Sequence, residues 1–513
     1  MKDIIVVGAG IGGLVTAATL SRLGYPVTVL EAHVYAGGCA GTFYHQGFRF
    51  DAGATLAAGF YPGGPMDLVA QASGIETWQG STTDLAMLVH MPDGERIPRW
   101  GDSRRQHAYQ DAFTKQAMPF WNWQENTADA LWDLAVRLPT WPPQSATNAF
   151  ELISTGLNWA SRDLFHRISP GLLADVFRPV ASHLKRAPER LRTFIDAQLL
   201  ISAQTTSEYA NALYGASALD LPRRGVRVFE GGIGSIAAHL VQAIQDNGGK
   251  VLFHHDVNKV NLTPDASYEV FTRQGPVYQA GKLVFNLPAW NISNILGNHT
   301  PSGLRRKINC PVSGWGAFTT YVGVDGSAVP TDLPLHHQVL TGHGLGEGES
   351  IFLSISPAWD TTRGPNGGRA ITISTHTRLQ LWWNLHNQNL ELYESKKSEY
   401  LGRVIQAASK IIPHVKEAAQ IILPGTPVTF NRFTGRMEGW VGGFPQTNLF
   451  QAWGPRLGPD LWMVGDSIFP GQSIAATALG GLNAAKQIHW ESEREYLPSH
   501  SIEFPPTLPT LGA

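Results

Sequence analysis

The chain has 513 residues, more than one ordinary core holds, so two domains or one large composite domain are expected. Charged residues make up 16% of it, against roughly 25% in typical soluble domains, so much apolar surface must lie in pockets or interfaces. A formal net charge of −2 with no basic run argues against a nucleic-acid partner, and two cysteines, Cys39 and Cys310, exclude a disulfide framework and fit a reducing, cytoplasmic compartment.

Met1-Lys2-Asp3 runs straight into the apolar residues 4–7, too short a core for a signal peptide. No stretch of about 18 uninterrupted apolar residues occurs, so no transmembrane helix is expected. Residues 4–7 read as a buried strand and 8–13 as a glycine-rich turn. Residues 12–23 carry Leu14, Ala17, Ala18, Leu20 and Leu23 at helical spacing; Gly24 ends that helix and Tyr25-Pro26 leads into a strand at 27–30. This is one complete βαβ opening. Residues 76–224 read as helical and rich in Trp, Leu and Ala, with runs at 126–137 and 183–204. Trp121, Trp123, Trp132, Trp141 and Trp159 fall there, and fit either ordinary core packing or an aromatic channel or membrane-facing rim. The α/β pattern then returns: a helix at 236–246 and strands at 251–253, 257–262 and 282–286. Strands follow at 315–323, 350–356 and 369–375, then a helix at 391–411, a strand at 461–465, a helix at 473–490 and a proline-rich tail from 497.

The first glycines have separate physical jobs. Gly8 permits the tight turn out of the strand, Gly10 lets backbone approach a pyrophosphate, and Gly13 lets helix and strand pack closely. The helix start at Ile11, Gly12 and Gly13 offers N–H groups and a positive dipole end to phosphate. Glu31 follows Gly13 by 18 residues, at the end of the second strand, where its carboxylate can accept from ribose hydroxyls and repels a phosphorylated ribose. FAD rather than NAD is expected because a second buried strand, Leu461-Trp462-Met463-Val464, ends in Gly465-Asp466, placed to meet the ribityl or pyrophosphate part of the cofactor. The small-residue helix behind it (Ala475, Ala476, Ala478, Gly480, Gly481) fits close approach to a flat ring, and equally fits a close-packed core helix. The cluster Gly231 to Gly234 lacks the strand-turn spacing and matching acid of a second dinucleotide site, and the adjacent pairs His254-His255 and His336-His337 are not spaced as metal ligands, so no metal is expected.

Further segments carry a family resemblance: Ala36-Gly37-Gly38-Cys39-Ala40-Gly41-Thr42-Phe43, then Gly47-Phe48-Arg49-Phe50-Asp51-Ala52-Gly53-Ala54, then Phe229-Glu230-Gly231-Gly232, Asn286-Leu287-Pro288, and Val464 to Leu482. With residues 4–32, these make the chain resemble the phytoene-desaturase superfamily of FAD-dependent carotenoid oxidoreductases, more distantly related to amine oxidases. The resemblance implies that Val257 meets adenine through its backbone, that Gly37 and Gly38 pass near the flavin, and that Cys39 and Ile474 border the cofactor. Many members carry Arg where this chain has Cys39, which removes one cofactor contact and points to the branch of carotenoid isomerases and late desaturases. Arg432-Phe433-Thr434-Gly435-Arg436 with Gly439, Val441-Gly442-Gly443 and Gln446 looks like desaturases acting on the terminal 3′,4′ bond of monocyclic carotenoids. Phe469-Pro470-Gly471-Gln472 looks instead like carotenoid cis–trans isomerases.

The resemblance implies an α/β chain: a Rossmann-type, glutathione-reductase-like FAD-binding domain with an inserted mixed α+β substrate domain. Residues 1–75, 225–295 and 456–492 would form the FAD-binding domain, 76–224 and 296–455 the substrate-binding, membrane-facing region, and 493–513 an irregular tail. A 3′,4′-type carotenoid desaturase is expected, with an isomerase using reduced FAD and an amine or amino-acid oxidase as alternatives. Desaturation needs hydride acceptance by flavin and loss of a proton beside a polyene that spreads the charge itself, so no strong protein base is required. Arg436 and Glu438 are the polar candidates at the flavin face. Because carotenoids reside in bilayers, peripheral membrane association through residues 119–160 is expected.

Overall fold

A computed structural model describes residues 2–143, 146–161, 170–309, 314–443, 445–451 and 453–496; Cys310 and the tail from 497 lie outside them. Six strands form the first sheet, in the order Arg456–Gly458, Leu461–Met463, Lys282–Phe285, Ile4–Val7, Val27–Leu30, Lys250–Leu252. All pair in parallel except the antiparallel edge strand Arg456–Gly458. Ile4–Val7 lies near the middle, and its register with Lys282–Phe285 (Val7 opposite Phe285) brings Gly8 beside Asn286. Strands covered on both faces need mostly apolar side chains, which is why Ile4–Val7 and Leu461–Met463 read as unbroken hydrophobic runs. The first helix, Ile11–Arg22, packs against the helix Ser235–Asp246 and the C-terminal helix Ile474–Tyr496, which runs six residues beyond the end expected from sequence, so 493–496 are helical rather than irregular tail. The antiparallel meander Val257–Leu262, Tyr268–Thr272, Val277–Ala280 shares the same core. The fold class is the α/β, Rossmann-type one expected.

A second sheet of seven strands runs Ala419–Gly425, Trp315–Val324, Arg369–Arg378, Ser350–Ile355, His336–Leu340, Leu85–His90, Arg96–Trp100. Its last two strands correct the reading of 76–224 as helical. Leu85–His90 is largely buried and shows no clean alternation, and Arg96–Trp100 contains Pro98, a residue that argues against a strand except at a sheet edge, which is where this one lies. The expected helix at 126–137 is the end of a longer one, Met118–Ala135. The run at 183–204 is broken: Pro188 cannot continue a helix from its predecessor, so a short turn at Val180–His183 precedes Glu189–Ala203.

Of the tryptophans of the helical region, Trp121 and Trp123 turn inward, and the side chain of Trp159 lies outside the described residues. Trp121 is buried and stacks on Tyr109 at 3.9 Å, and Trp123 stacks on His183 at 3.7 Å while donating to Asp175 at 2.8 Å. The exposed apolar side chains are instead Phe150 and Ile153 on the helix Ala146–Ser161, with Leu173, Phe177 and Phe450. Among the described residues no helix is long and apolar enough to cross a membrane.

Candidate functional site

The glycine turn sits where the first sheet's strands end. Gly8 has φ +96°, in the region that favours glycine, and its N–H donates to Leu30 O at 2.8 Å, locking the first strand to the second. The first helix begins at Ile11 with Gly10 as its N-cap and no side chain capping it, so its opening N–H groups face the cleft without a protein carboxylate or hydroxyl. A Cβ on Gly13 would lie 2.5 Å from Gly8 O, and one on Gly12 would lie 3.0 Å from Gly465 N. Gly13 therefore has the expected close-packing job, while Gly12 is small because the C-terminal segment crosses it. Ile11 itself is buried in the core.

Glu31 is fixed by backbone donors: Ala9 N–H reaches one carboxylate oxygen at 2.7 Å and His33 N–H the other at 2.8 Å. The acid is thereby held across the mouth of the turn. The chain beyond it is tied to the edge strand Lys250–Leu252, Glu31 N–H to Leu252 O at 2.9 Å and His255 N–H to Glu31 O at 2.8 Å, which places Val257 two residues past this junction. Gly37 (φ +110°) donates to Ala9 O at 2.7 Å, and a Cβ on Gly38 would lie 3.5 Å from the Gly10 Cα, so this second glycine pair lies against the first turn. Segments 8–13, 31, 37–39, 257 and 465–466 thus converge on one end of the sheet. An uncapped helix start, glycines that clear space for backbone approach, and an acid at the second strand's end are a donor and acceptor set that fits FAD.

Arg436 belongs to this cluster. Its guanidinium pairs with Asp466 at 2.9 Å, its Nε donates to Trp440 O at 2.8 Å, it also bonds Gly442 O, and it lies beside the Cys39 side chain. The cation that the resemblance expects next to the Gly-Gly pair therefore arrives from a distant segment: Arg436 reaches Cys39 from the other half of the chain. Burial disfavours charge on Arg436, but Asp466 and Cys39 outweigh it and hold its pKa above the ordinary value. Desolvation raises the pKa of the Cys39 thiol, against the opposing pull of Arg436. Glu438 is not brought to this cluster. Its carboxylate approaches Gln380 at 3.5 Å and its backbone carbonyl accepts from Trp383 Nε1 at 2.9 Å, on the side of the helix Leu379–Gln388. Ile474 is buried at the start of the last helix, preceded by Ser473 at φ +107°, a strained backbone for a non-glycine residue.

Sequence reasoning missed the role of Asp51. Within the Phe50-Asp51-Ala52-Gly53 run, its carboxylate accepts from Thr42 Oγ1 at 2.7 Å and Ile233 N–H at 2.9 Å, and pairs with Arg363 at 2.9 Å. Asp51 clasps the 231–234 turn, the hairpin at 42–51 and the 360–363 loop together. Its place in a specific motif was legible; its partners, far away in sequence, were not.

The model of the family described as "Flavin containing amine oxidoreductase" matches residues 11–488. A "Prolycopene isomerase 2, chloroplastic" of an Oncidium hybrid cultivar is 27% identical over 510 residues, covering 95% of this chain and 83% of that protein. A "Phytoene desaturase (neurosporene-forming)" of Rhodobacter capsulatus is 22% identical over 543 residues, covering 95% and 94%. Among solved structures, an oxidoreductase from Methanosarcina mazei shares the fold with a TM-score of 0.60 at 16% identity, covering 94% of this chain and all of that one.

Proposed function

Because the chain belongs to the flavin-containing amine oxidoreductase family, and is an FAD-dependent oxidoreductase, we propose that it desaturates a carotenoid, at the 3′,4′ bond of a monocyclic substrate. The observation that carries the choice of a hydrocarbon over an amine is the mutual pairing of the polar groups at the Cys39 end of the site. Arg436 is neutralised by Asp466 and by two backbone carbonyls, and the Cys39 thiol is held in its neutral form. Polar groups occupied in this way suit an uncharged polyene, and the relatives named above carry the names of enzymes acting on phytoene and prolycopene.

Bound FAD supplies acceptance of a hydride from a C–H bond. The chain's own residues bind and orient. Gly8, Gly10, Ile11, Gly12 and Gly13 receive the pyrophosphate, Glu31 the ribose and Val257 the adenine. Gly37, Gly38, Cys39, Gly465, Asp466 and Ile474 border the remainder, and Arg436 holds Asp466 and Cys39 in place. Glu438 acts from outside this shell, through the loop that carries Arg436. A second reading, cis–trans isomerisation with reduced FAD and no net redox change, is favoured by the 27% identity to a prolycopene isomerase and by the 469–472 run, whose Gln472 donates to Ser202 O at 2.9 Å beside Gly442. Incubating the protein with an all-trans monocyclic carotene while its FAD is oxidised, and with poly-cis lycopene once its FAD has been chemically reduced, separates the two. A product lacking two hydrogens is expected from the first; an unchanged mass with shifted retention from the second alone would instead establish isomerisation.

Such a substrate is reached at a bilayer surface. The exposed side chains of Phe150, Ile153, Leu173, Phe177 and Phe450, with Trp141 and Phe177 near the Phe450 ring at 5.4 and 6.2 Å, form the surface that would meet it. The protein is expected to float with liposomes, and Phe177→Ser together with Phe450→Ser to reduce flotation; a parent protein left wholly in the aqueous fraction would remove this idea.

A further inference from the structure

Asn286 stands immediately after the strand Lys282–Phe285, with its N–H donating to Val7 O at 2.8 Å. Five glycines from two distant segments are shaped around it. A Cβ on Gly8 would lie 2.9 Å from its carbonyl oxygen, one on Gly10 2.3 Å from its Nδ2, and one on Gly13 2.8 Å from its Cβ. A Cβ on Gly12 would lie 3.1 Å, and one on Gly465 3.2 Å, from its Oδ1. The side chain therefore occupies the centre of the hollow between the first turn and the Gly465-Asp466 segment. It is half-buried, and its carboxamide hydrogen-bonds to no described residue.

A carboxamide brings two donors and an acceptor, and leaving them without partners once a cleft is closed to water costs free energy. Packing alone would be served as well by an apolar side chain at this junction. What distinguishes asparagine is a neutral donor beside the uncapped start of the first helix, where an anionic oxygen would be received; a donor to a charged acceptor makes the stronger kind of hydrogen bond. We infer that Asn286 is a cofactor-positioning residue whose amide donates to the pyrophosphate of FAD. This rests on FAD binding and not on the choice of substrate, so it can fail while the carotenoid reading stands, and the reverse.

The test uses the full chain freed of flavin, with FAD binding followed by flavin fluorescence and the melting temperature of each flavin-free variant measured alongside. Asn286→Ala is expected to weaken FAD binding about ten-fold, and Asn286→Asp, which sets a like charge against phosphate, on the order of a hundred-fold. Asn286→Ser, which keeps a donor, should fall between the parent and the alanine variant. ADP, which carries the pyrophosphate, should lose affinity with FAD, while riboflavin should not. The inference is overturned if Asn286→Ala and Asn286→Ser bind FAD as the parent does, if the loss merely follows a lowered melting temperature, or if riboflavin binding falls and ADP binding does not. The alanine and serine variants decide the matter even where the aspartate variant does not fold.

Discussion

Gly13→Val is expected to yield a protein that purifies without flavin. A Cβ at this position would lie 2.5 Å from Gly8 O and 2.8 Å from the Asn286 Cβ, and neither is the free end of a flexible side chain. The added branches of valine would extend the clash, so the first helix must move off the strand Ile4–Val7. Overpacking of this kind costs about 1–3 kcal/mol in a core, and here the displaced element is also the one whose N-terminus receives phosphate. Gly24 provides the control: it has φ +84° but nothing within 4 Å of its Cβ position, so Gly24→Ala should strain a turn yet keep its cofactor. The flavin-to-protein absorbance ratio of the purified variants is the measurement, near zero for Gly13→Val and near the parent value for Gly24→Ala. Retention of flavin by Gly13→Val would show that the helix start is not where the cofactor is held.

The second large effect is on stability. Asp51→Ala removes the partner of Arg363, whose side chain is only 5% exposed, and leaves Ile233 N–H and Thr42 Oγ1 without their acceptor. Removing one member of a buried pair leaves an uncompensated charge, at a cost of about 3–5 kcal/mol. Asp51→Ala should therefore lower the denaturant midpoint sharply. The double variant Asp51→Ala with Arg363→Met should recover part of the loss, because no charge is left stranded. Equal and additive losses would mean that the two residues act separately. Since Asp51 holds the turn that leads into the helix Ser235–Asp246, and that helix packs on the first helix, weaker FAD retention is expected to accompany the loss.

These two sites differ in how far they could be read from sequence. The first turn was legible because local rules govern it: an apolar strand buried on both faces, glycines at fixed offsets, and an acid at the end of the next strand. Gly465-Asp466 was legible for the same reason, as a buried strand with an abrupt polar end. The seven-stranded sheet was only partly legible, since Pro98 and the lack of clean alternation along Leu85–His90 hide strand periodicity. The aromatic segment was read by composition, and composition does not say which way a ring points: Trp121 and Trp123 pack inward, and the exposed rings are Phe150, Phe177 and Phe450. Arg436 entered through resemblance. Its contact with Cys39 depends on a tertiary approach that no local pattern encodes, and the same holds for Asp51 with Arg363. Asn286 read as the last residue of a strand and as part of the Asn286-Leu287-Pro288 segment of the resemblance, with no role of its own, because its surroundings come from glycines in two other segments.

The account turns on a flavin site whose charged groups are paired with one another and which is therefore suited to an uncharged polyene. The most direct measurement is anaerobic mixing of the FAD-loaded protein with an all-trans monocyclic carotene in detergent micelles, and separately with a primary amine, while the flavin absorbance is followed. The carotene is expected to bleach the oxidised flavin and the amine to leave it unchanged. Bleaching by the amine with none by the carotene would contradict the account.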